Sequence, residues 1–168
     1  MRHFGGMPVV QLYGPWSKNE HQTTTRIGPI VPFNLLRNDG SYIGYNEVSK
    51  LAALHSPPLQ LRTGCFCNPG ACQEALGLDD DEMKRNYEVT GHVCGDHMDI
   101  IHGRPTGAIR VSLGKDSLWE DVDALVSFIE TTFVSKTAES HIKSSSPPVQ
   151  EETMRLTELY IFPIKSCA

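Results

Sequence analysis

Three of the five cysteines fall within eight residues, as Cys65, Cys67 and Cys72 in the run Arg62-Thr-Gly-Cys-Phe-Cys-Asn-Pro-Gly-Ala-Cys72. Sulfur can attack as a thiolate, ligate a soft metal, or pack as a small apolar group. The Asn68-Pro69-Gly70 turn inside the cluster favours chemistry over packing, because it bends the chain and exposes what lies beside it. Asn68 is placed to cap a short helix and Pro69 to be its first residue, with Gly77 ending it. Cys67 then sits on a strand-to-helix corner, where the unpaired N–H groups of a helix start favour thiolate over thiol. Sulfur nucleophilicity also needs a cation to anchor an acidic substrate. Arg110, on the polar side of an alternating strand, can hold a carboxylate through two N–H donors, and Arg62 can add positive charge at the corner.

Metal binding is the competing chemistry. Cys65, Cys67, Cys72, His92, Cys94 and His97 offer six sulfur and imidazole groups within 33 residues, a donor set that suits zinc. The spacing C-x-C-x4-C followed by H-x-C lacks the paired C-x2-C knuckles of common structural sites. The acidic run Asp79-Asp80-Asp81-Glu82 reads as the first turn of a helix, because consecutive carboxylates point to different sides of it.

Elements that position these groups follow from pattern. Alternation and turn residues predict strands over 8–13, 28–36, 59–62 and 108–113. The two prolines of 28–36 suit an edge or the strand's ends. Helical periodicity predicts helices over 46–55, with Asn46 a possible cap, and over 117–133, opened by a Ser117-x-x-Glu120 capping box. The stripe of the latter is Leu118, Val122, Leu125, Val126, Ile129 and Phe133. Residues 102–107 read as a loop. Residues 135–155 read as a flexible linker, and 156–162 as a new strand at the start of another domain. The expected fold class is α+β: a short, mainly antiparallel sheet with helices on one face and the cysteine loop at its edge.

Composition sets the outer limits. The chain has 168 residues, 15 basic and 20 acidic, for a net charge of −5, which argues against a nucleic-acid surface. No apolar run reaches transmembrane length, and the opening residues carry no apolar leader. Reduced thiols in the cytosol are therefore expected rather than a disulfide framework.

Three segments together carry a resemblance. Arg62 to Gln73, Gly91-His-Val-Cys-Gly-Asp96 and Pro105-Thr-Gly-Ala-Ile-Arg-Val-Ser-Leu-Gly114 are similar to the molybdenum cofactor sulfurases, and more broadly to the class V aminotransferase-like cysteine desulfurases. The tail Leu159-Tyr-Ile-Phe-Pro-Ile-Lys-Ser-Cys167 resembles the opening strand of the MOSC N-terminal β-barrel region. The resemblance implies a small C-terminal subdomain of a fold-type I pyridoxal-phosphate transferase at 1–134, a linker at 135–155, and the start of the MOSC part at 156–168. It implies removal of sulfur from L-cysteine with pyridoxal phosphate, giving alanine and a persulfide on Cys67. It implies transfer of that sulfur to the molybdenum cofactor used by xanthine dehydrogenase and aldehyde oxidase, by a homodimeric cytoplasmic enzyme. Arg110 maps to the arginine that grips the substrate carboxylate, and Arg62 lines the site. The Schiff-base lysine maps to none of the seven lysines here, so the chain alone is expected not to turn over cysteine.

Overall fold

The computed structural model describes residues 1–14, 28–93 and 95–136. Its sheet is organised around one strand of seven residues, Ile30–Leu36 (β2). Val10–Leu12 (β1) pairs with one side of it, and Ala108–Ser112 (β7) with the other. Tyr42–Ile43 (β3) pairs near its end, and Arg62–Gly64 (β4) pairs with the far side of β7. All these pairings are antiparallel. Between them run helices Tyr45–Leu54 (α1), Pro69–Leu76 (α2), Asp80–Thr90 (α3) and Trp119–Phe133 (α4). A small separate hairpin joins Ile100–Ile101 (β5) to Arg104–Pro105 (β6), the second of which falls inside the stretch 102–107 expected to be a loop. The α+β class and the antiparallel sheet are as expected.

Strand alternation gives the sheet two unlike faces. Phe33 stands opposite Ile109, Val31 opposite Val111, and Leu35 opposite Ile43. That apolar face forms one core with Val48 and Ala52 of α1 and Phe128 and Ile129 of α4. Leu35, Ile109 and Phe128 are fully buried, each worth about 1.5–3 kcal/mol of transfer from water. The other face carries Pro32, Asn34, Arg62 and Arg110, and it is the face that meets the cysteine loop.

β2 is a central strand, not an edge, despite its prolines. Pro32 pairs with Arg110, but its carbonyl faces the β1 side, where it accepts from the Tyr13 N–H at 3.0 Å. The proline's missing N–H falls on that same side, where it cannot return a bond to Tyr13, so the β1 ladder stops there while the pairing with β7 is untouched. β4 also departs from expectation: it begins at Arg62, the residue expected to end it.

Helix starts are settled by partners, some far away in sequence. Asp79 caps α3 by accepting from the Glu82 N–H at 2.7 Å, as the acidic run suggested. Asn46 does not cap α1. Gly44 takes that position without a side-chain bond, and the Asp99 carboxylate reaches across to accept from Asn46 N–H at 2.9 Å. A Cβ on Gly44 would come within 2.5 Å of Asp99 Oδ2, so this arrangement requires glycine there. The Ser117–Glu120 capping box does not form; Leu118 takes the N-cap position and only the carboxylate half of such a box is present, one residue on. Asp121 accepts from Leu118 N–H at 2.8 Å, while Ser117 Oγ accepts from Gly114 N–H at 2.9 Å. The stripe shifts with it: Leu118 and Val126 are 62% and 41% exposed, whereas Phe128, absent from the expected stripe, is 1% exposed.

The expected boundary at 134 is not a free end. Ser135 donates its N–H to His3 Nδ1 at 3.1 Å, and its carbonyl accepts from Phe4 N–H at 2.9 Å. His3 Nε2 lies 2.8 Å from the Leu36 carbonyl, which ties both ends of the domain to β2. The rest of the expected linker and the strand at 156–162 lie outside the described residues. Among the described residues no helix is long and apolar enough to cross a membrane.

Candidate functional site

The cysteine loop is a sharp corner between β4 and α2. Asn68 caps α2 by accepting from the Ala71 N–H at 3.4 Å, Pro69 is its first residue, and Gly77 ends it in the left-handed region at φ +64°. These three roles are as the sequence suggested. Arg104 locks the far end, donating to the Leu76 and Gly77 carbonyls at 3.0 and 2.8 Å and to Glu82 Oε2 at 2.6 Å. One side chain thus supplies donors to the carbonyls at the end of α2 and ties α2 to α3.

Within the corner, Phe66 and Cys67 both adopt left-handed backbone, at φ 56° and 60°. Such residues cost on the order of 1–3 kcal/mol each and persist only where their surroundings impose them. Here the Asn68 N–H closes the turn onto the Cys65 carbonyl at 2.9 Å. The Phe66 ring lies 5.1 Å beneath the Arg110 guanidinium, a cation–π contact. Cys67 is exposed and its thiol is free. Cys65 and Cys72 are bonded to each other, with α carbons 5.2 Å apart. This corrects the expectation of reduced thiols throughout. The pairing follows from the corner, which folds the start of α2 back over the end of β4. Cys94 lies outside the described residues.

A cavity of about 360 Å³ opens beside the loop. Tyr13, Pro32, Phe66, Asn68, Ala75 and Arg110 are among its lining residues. Cys67 is exposed between two of these, Phe66 and Asn68. Arg62 pairs directly across from Arg110, so the two guanidinium groups leave the same face of the sheet. Like charges in that position repel, and an anion between or beside them relieves the repulsion. Arg110 Nε is buried without a hydrogen-bond partner among the described residues, a donor available to a bound acceptor. The structure therefore brings Cys67, Arg62 and Arg110 to one face and one corner.

Sequence reasoning passed over the residues that hold this corner in place. Asn34, buried in the centre of β2, donates to the Gly107 carbonyl at 2.9 Å and to the Tyr13 hydroxyl at 3.1 Å. Burial, and then the neighbouring Tyr42, push the Tyr13 phenol well above its ordinary value of 10. Gly107 in turn lies so close to Gly64, the residue before Cys65, that a Cβ would meet the Gly64 backbone at 2.7 Å. Cys65 Sγ lies 3.4 Å from the Thr106 carbonyl. Thr106 itself donates to the Met98 carbonyl at 2.8 Å and lies 3.0 Å from the Tyr45 hydroxyl. The one sequence signal was a lone amide in the apolar run Phe33-Asn34-Leu35.

The ligand-rich stretch 91–97 is a loop clamp. Asp96 takes His92 Nδ1 at 2.9 Å and accepts from the Val93 and Met98 N–H groups at 2.9 and 2.8 Å. Burial alone would raise its pKa, but these donors outweigh it and hold the carboxyl below its ordinary value. No three His, Cys, Asp or Glu side chains converge as a metal site among the described residues.

Comparison with known proteins now adds to this geometry. Along its whole length the chain is 44% identical to the molybdenum cofactor sulfurase of Arabidopsis thaliana, covering 22% of that protein. It is 45% identical to that of Solanum lycopersicum, covering 20%, and 40% identical to that of Drosophila ananassae, covering 22%. The chain is a relative of one segment of the molybdenum cofactor sulfurases. It spans about a fifth of the length of these sulfurase relatives. No family model and no solved structure matches it.

Proposed function

We propose that this chain is the sulfur-carrying segment of a molybdenum cofactor sulfurase, corresponding to the small C-terminal subdomain of a pyridoxal-phosphate transferase. The observation that carries this reading is Cys67. It is an exposed free thiol, set in a left-handed turn and flanked by residues that line a cavity with an arginine beside it.

In this reading Arg110 holds the carboxylate of L-cysteine, with the Nε donor that has no partner among the described residues and the terminal N–H groups above Phe66. Arg62, directly opposite, adds positive charge at the same face. The Cys67 thiolate attacks the sulfur of the bound L-cysteine. As the new S–S bond forms, the substrate's Cβ–S bond breaks with its electron pair left on Cβ, which takes a proton to give alanine, and Cys67 is left as a persulfide. The outer sulfur then passes to the molybdenum cofactor as the S–S electron pair returns to Cys67. The cofactor, arriving two electrons reduced, supplies the pair that brings this sulfur to the sulfide level and releases an oxygen ligand as water. Xanthine dehydrogenase and aldehyde oxidase are the proposed recipients of the sulfurated cofactor, and the whole enzyme is proposed to be a cytoplasmic homodimer. Among the described residues that line the cavity Arg110 is the sole cation and no lysine is present, so that described lining does not itself fit pyridoxal phosphate. That group is assigned to the part of the sulfurases that this chain does not span. Accordingly, the isolated chain is expected to have no turnover of cysteine.

The test is Cys67→Ser in the full-length enzyme. Cofactor sulfuration should fall to background with the fold and pyridoxal absorbance retained. Sulfuration at the parent rate would refute the assignment.

A further inference from the structure

Cys67 carries its sulfur between two other cysteines, one two residues before it and one five residues after. Such neighbours threaten a persulfide. A nearby thiolate can attack the inner sulfur, forming a cysteine–Cys67 disulfide and expelling the outer sulfur, with the bond's electron pair, as hydrosulfide. Within so short a loop the effective concentration of the attacking group far exceeds that of thiols in solution. The sulfur would then be lost before it met an acceptor.

The structure removes both attackers. Cys65 and Cys72 are bonded to each other, and their 5.2 Å α-carbon separation lies within the usual disulfide span of about 4.4–6.8 Å. Cys72 is buried, and Cys65 is held partly buried beside Thr106. We propose that the Cys65–Cys72 disulfide guards the persulfide of Cys67 by withholding the two thiols of its own loop, so that neither can discharge it before it meets an acceptor. This inference rests on the sulfur-transfer reading above. The bond forms by exchange with a low-molecular-weight disulfide. The Cys65 thiolate displaces one thiolate from it to give a mixed disulfide, and the Cys72 thiolate displaces the second. Two protein thiols are oxidised, the small disulfide is reduced to two thiols, and the two cysteine protons go to the released thiolates.

The test uses the whole 168-residue chain, with glutathione hydropersulfide as the loading reagent. Alkylation without reductant, followed by fragmentation mass spectrometry, should find that among Cys65, Cys67 and Cys72 only Cys67 is alkylated, with Cys65 linked to Cys72. After loading, hydrosulfide release is followed in the parent, Cys65→Ser, Cys72→Ser and the double variant. Each single variant frees one neighbouring thiol and should release hydrosulfide at least about tenfold faster, leaving Cys67 in a disulfide with that neighbour. The double variant has neither the bond nor an attacker, and it should keep the persulfide as long as the parent does. A bond needed only for structure predicts the opposite, with the double variant as short-lived as the singles. That result would overturn the proposal, as would separate alkylation of Cys65, Cys67 and Cys72 or single variants that match the parent. Failure of the sulfur-transfer reading would appear separately, as full sulfuration by the Cys67→Ser enzyme, and would leave these release rates unchanged.

Discussion

Gly107→Ala tests how the corner is held. The added Cβ would lie 2.7 Å from the Gly64 Cα and 2.8 Å from its carbonyl carbon, far inside van der Waals contact. Neither side can retreat cheaply. Gly64 is paired to Ala108 in the sheet, and the Gly107 carbonyl is held by Asn34 at 2.9 Å. Gly64 itself sits at φ +91°, so its backbone cannot easily rotate away. Overpacking of this kind costs about 1–3 kcal/mol, and at roughly 4 °C per kcal/mol for a domain of this size the melting temperature should fall by about 4–12 °C. Relief of the clash must move Gly64, three residues before Cys67, so the rate of Cys67 alkylation by iodoacetamide should change as well. Gly70→Ala is the control. Nothing lies within 4 Å of a Cβ there, and alanine is the better residue inside a helix by about 1 kcal/mol. An unchanged melting temperature and thiol rate for Gly107→Ala would refute the claim that this glycine contact sets the loop.

Two further outcomes follow from the same structure. Phe128→Ala removes a fully buried ring that packs edge-on against Phe133 and His55, at centroid distances of 5.5 and 5.3 Å. It should cost about 3–5 kcal/mol by chemical denaturation, whereas Val126→Ala, on an exposed position of the same helix, should cost far less. Tyr13 sets an alkaline limit. Its phenol is raised in the folded chain, so the folded form keeps a proton that the unfolded form loses above its value of 10. The stability contribution is fully present below pH 10 and falls above it, by about 1.4 kcal/mol per pH unit for one proton. Denaturation midpoints measured from pH 9 to 11 should show that fall, and Tyr13→Phe should remove the part of the slope due to this group.

What could be read from residues alone was local, and what could not was long-range. The Asn68, Pro69 and Gly77 signals around α2 are short-range backbone chemistry, so they were legible, as was Asp79 at the start of α3. The apolar face of α4 was legible as a stripe but not in phase: Leu125, Phe128 and Ile129 follow i, i+3, i+4 as well as the expected set does, and only packing against the sheet selects among them. The cap of α1 comes from Asp99, more than fifty residues away, and no local pattern announces it. The expectation that the prolines of 28–36 sit at an edge or at the strand's ends holds in its second form: Pro29 precedes β2 and Pro32 lies where β1 stops, although β2 itself is central. The Cys65–Cys72 bond depends on how tightly the corner turns, which spacing does not reveal. Cys67, Arg62 and Arg110 were legible as candidate groups, while the support of their corner through Asn34, Gly107 and Gly64 was not.

Whether Cys67 is the sulfur carrier can be measured directly on the chain. After exposure to glutathione hydropersulfide and alkylation, fragmentation mass spectrometry locates the extra sulfur atom among the cysteines of residues 63–84. It should be found on Cys67, with none on Cys65 or Cys72. Extra sulfur on either neighbour, or none on Cys67, would contradict that role.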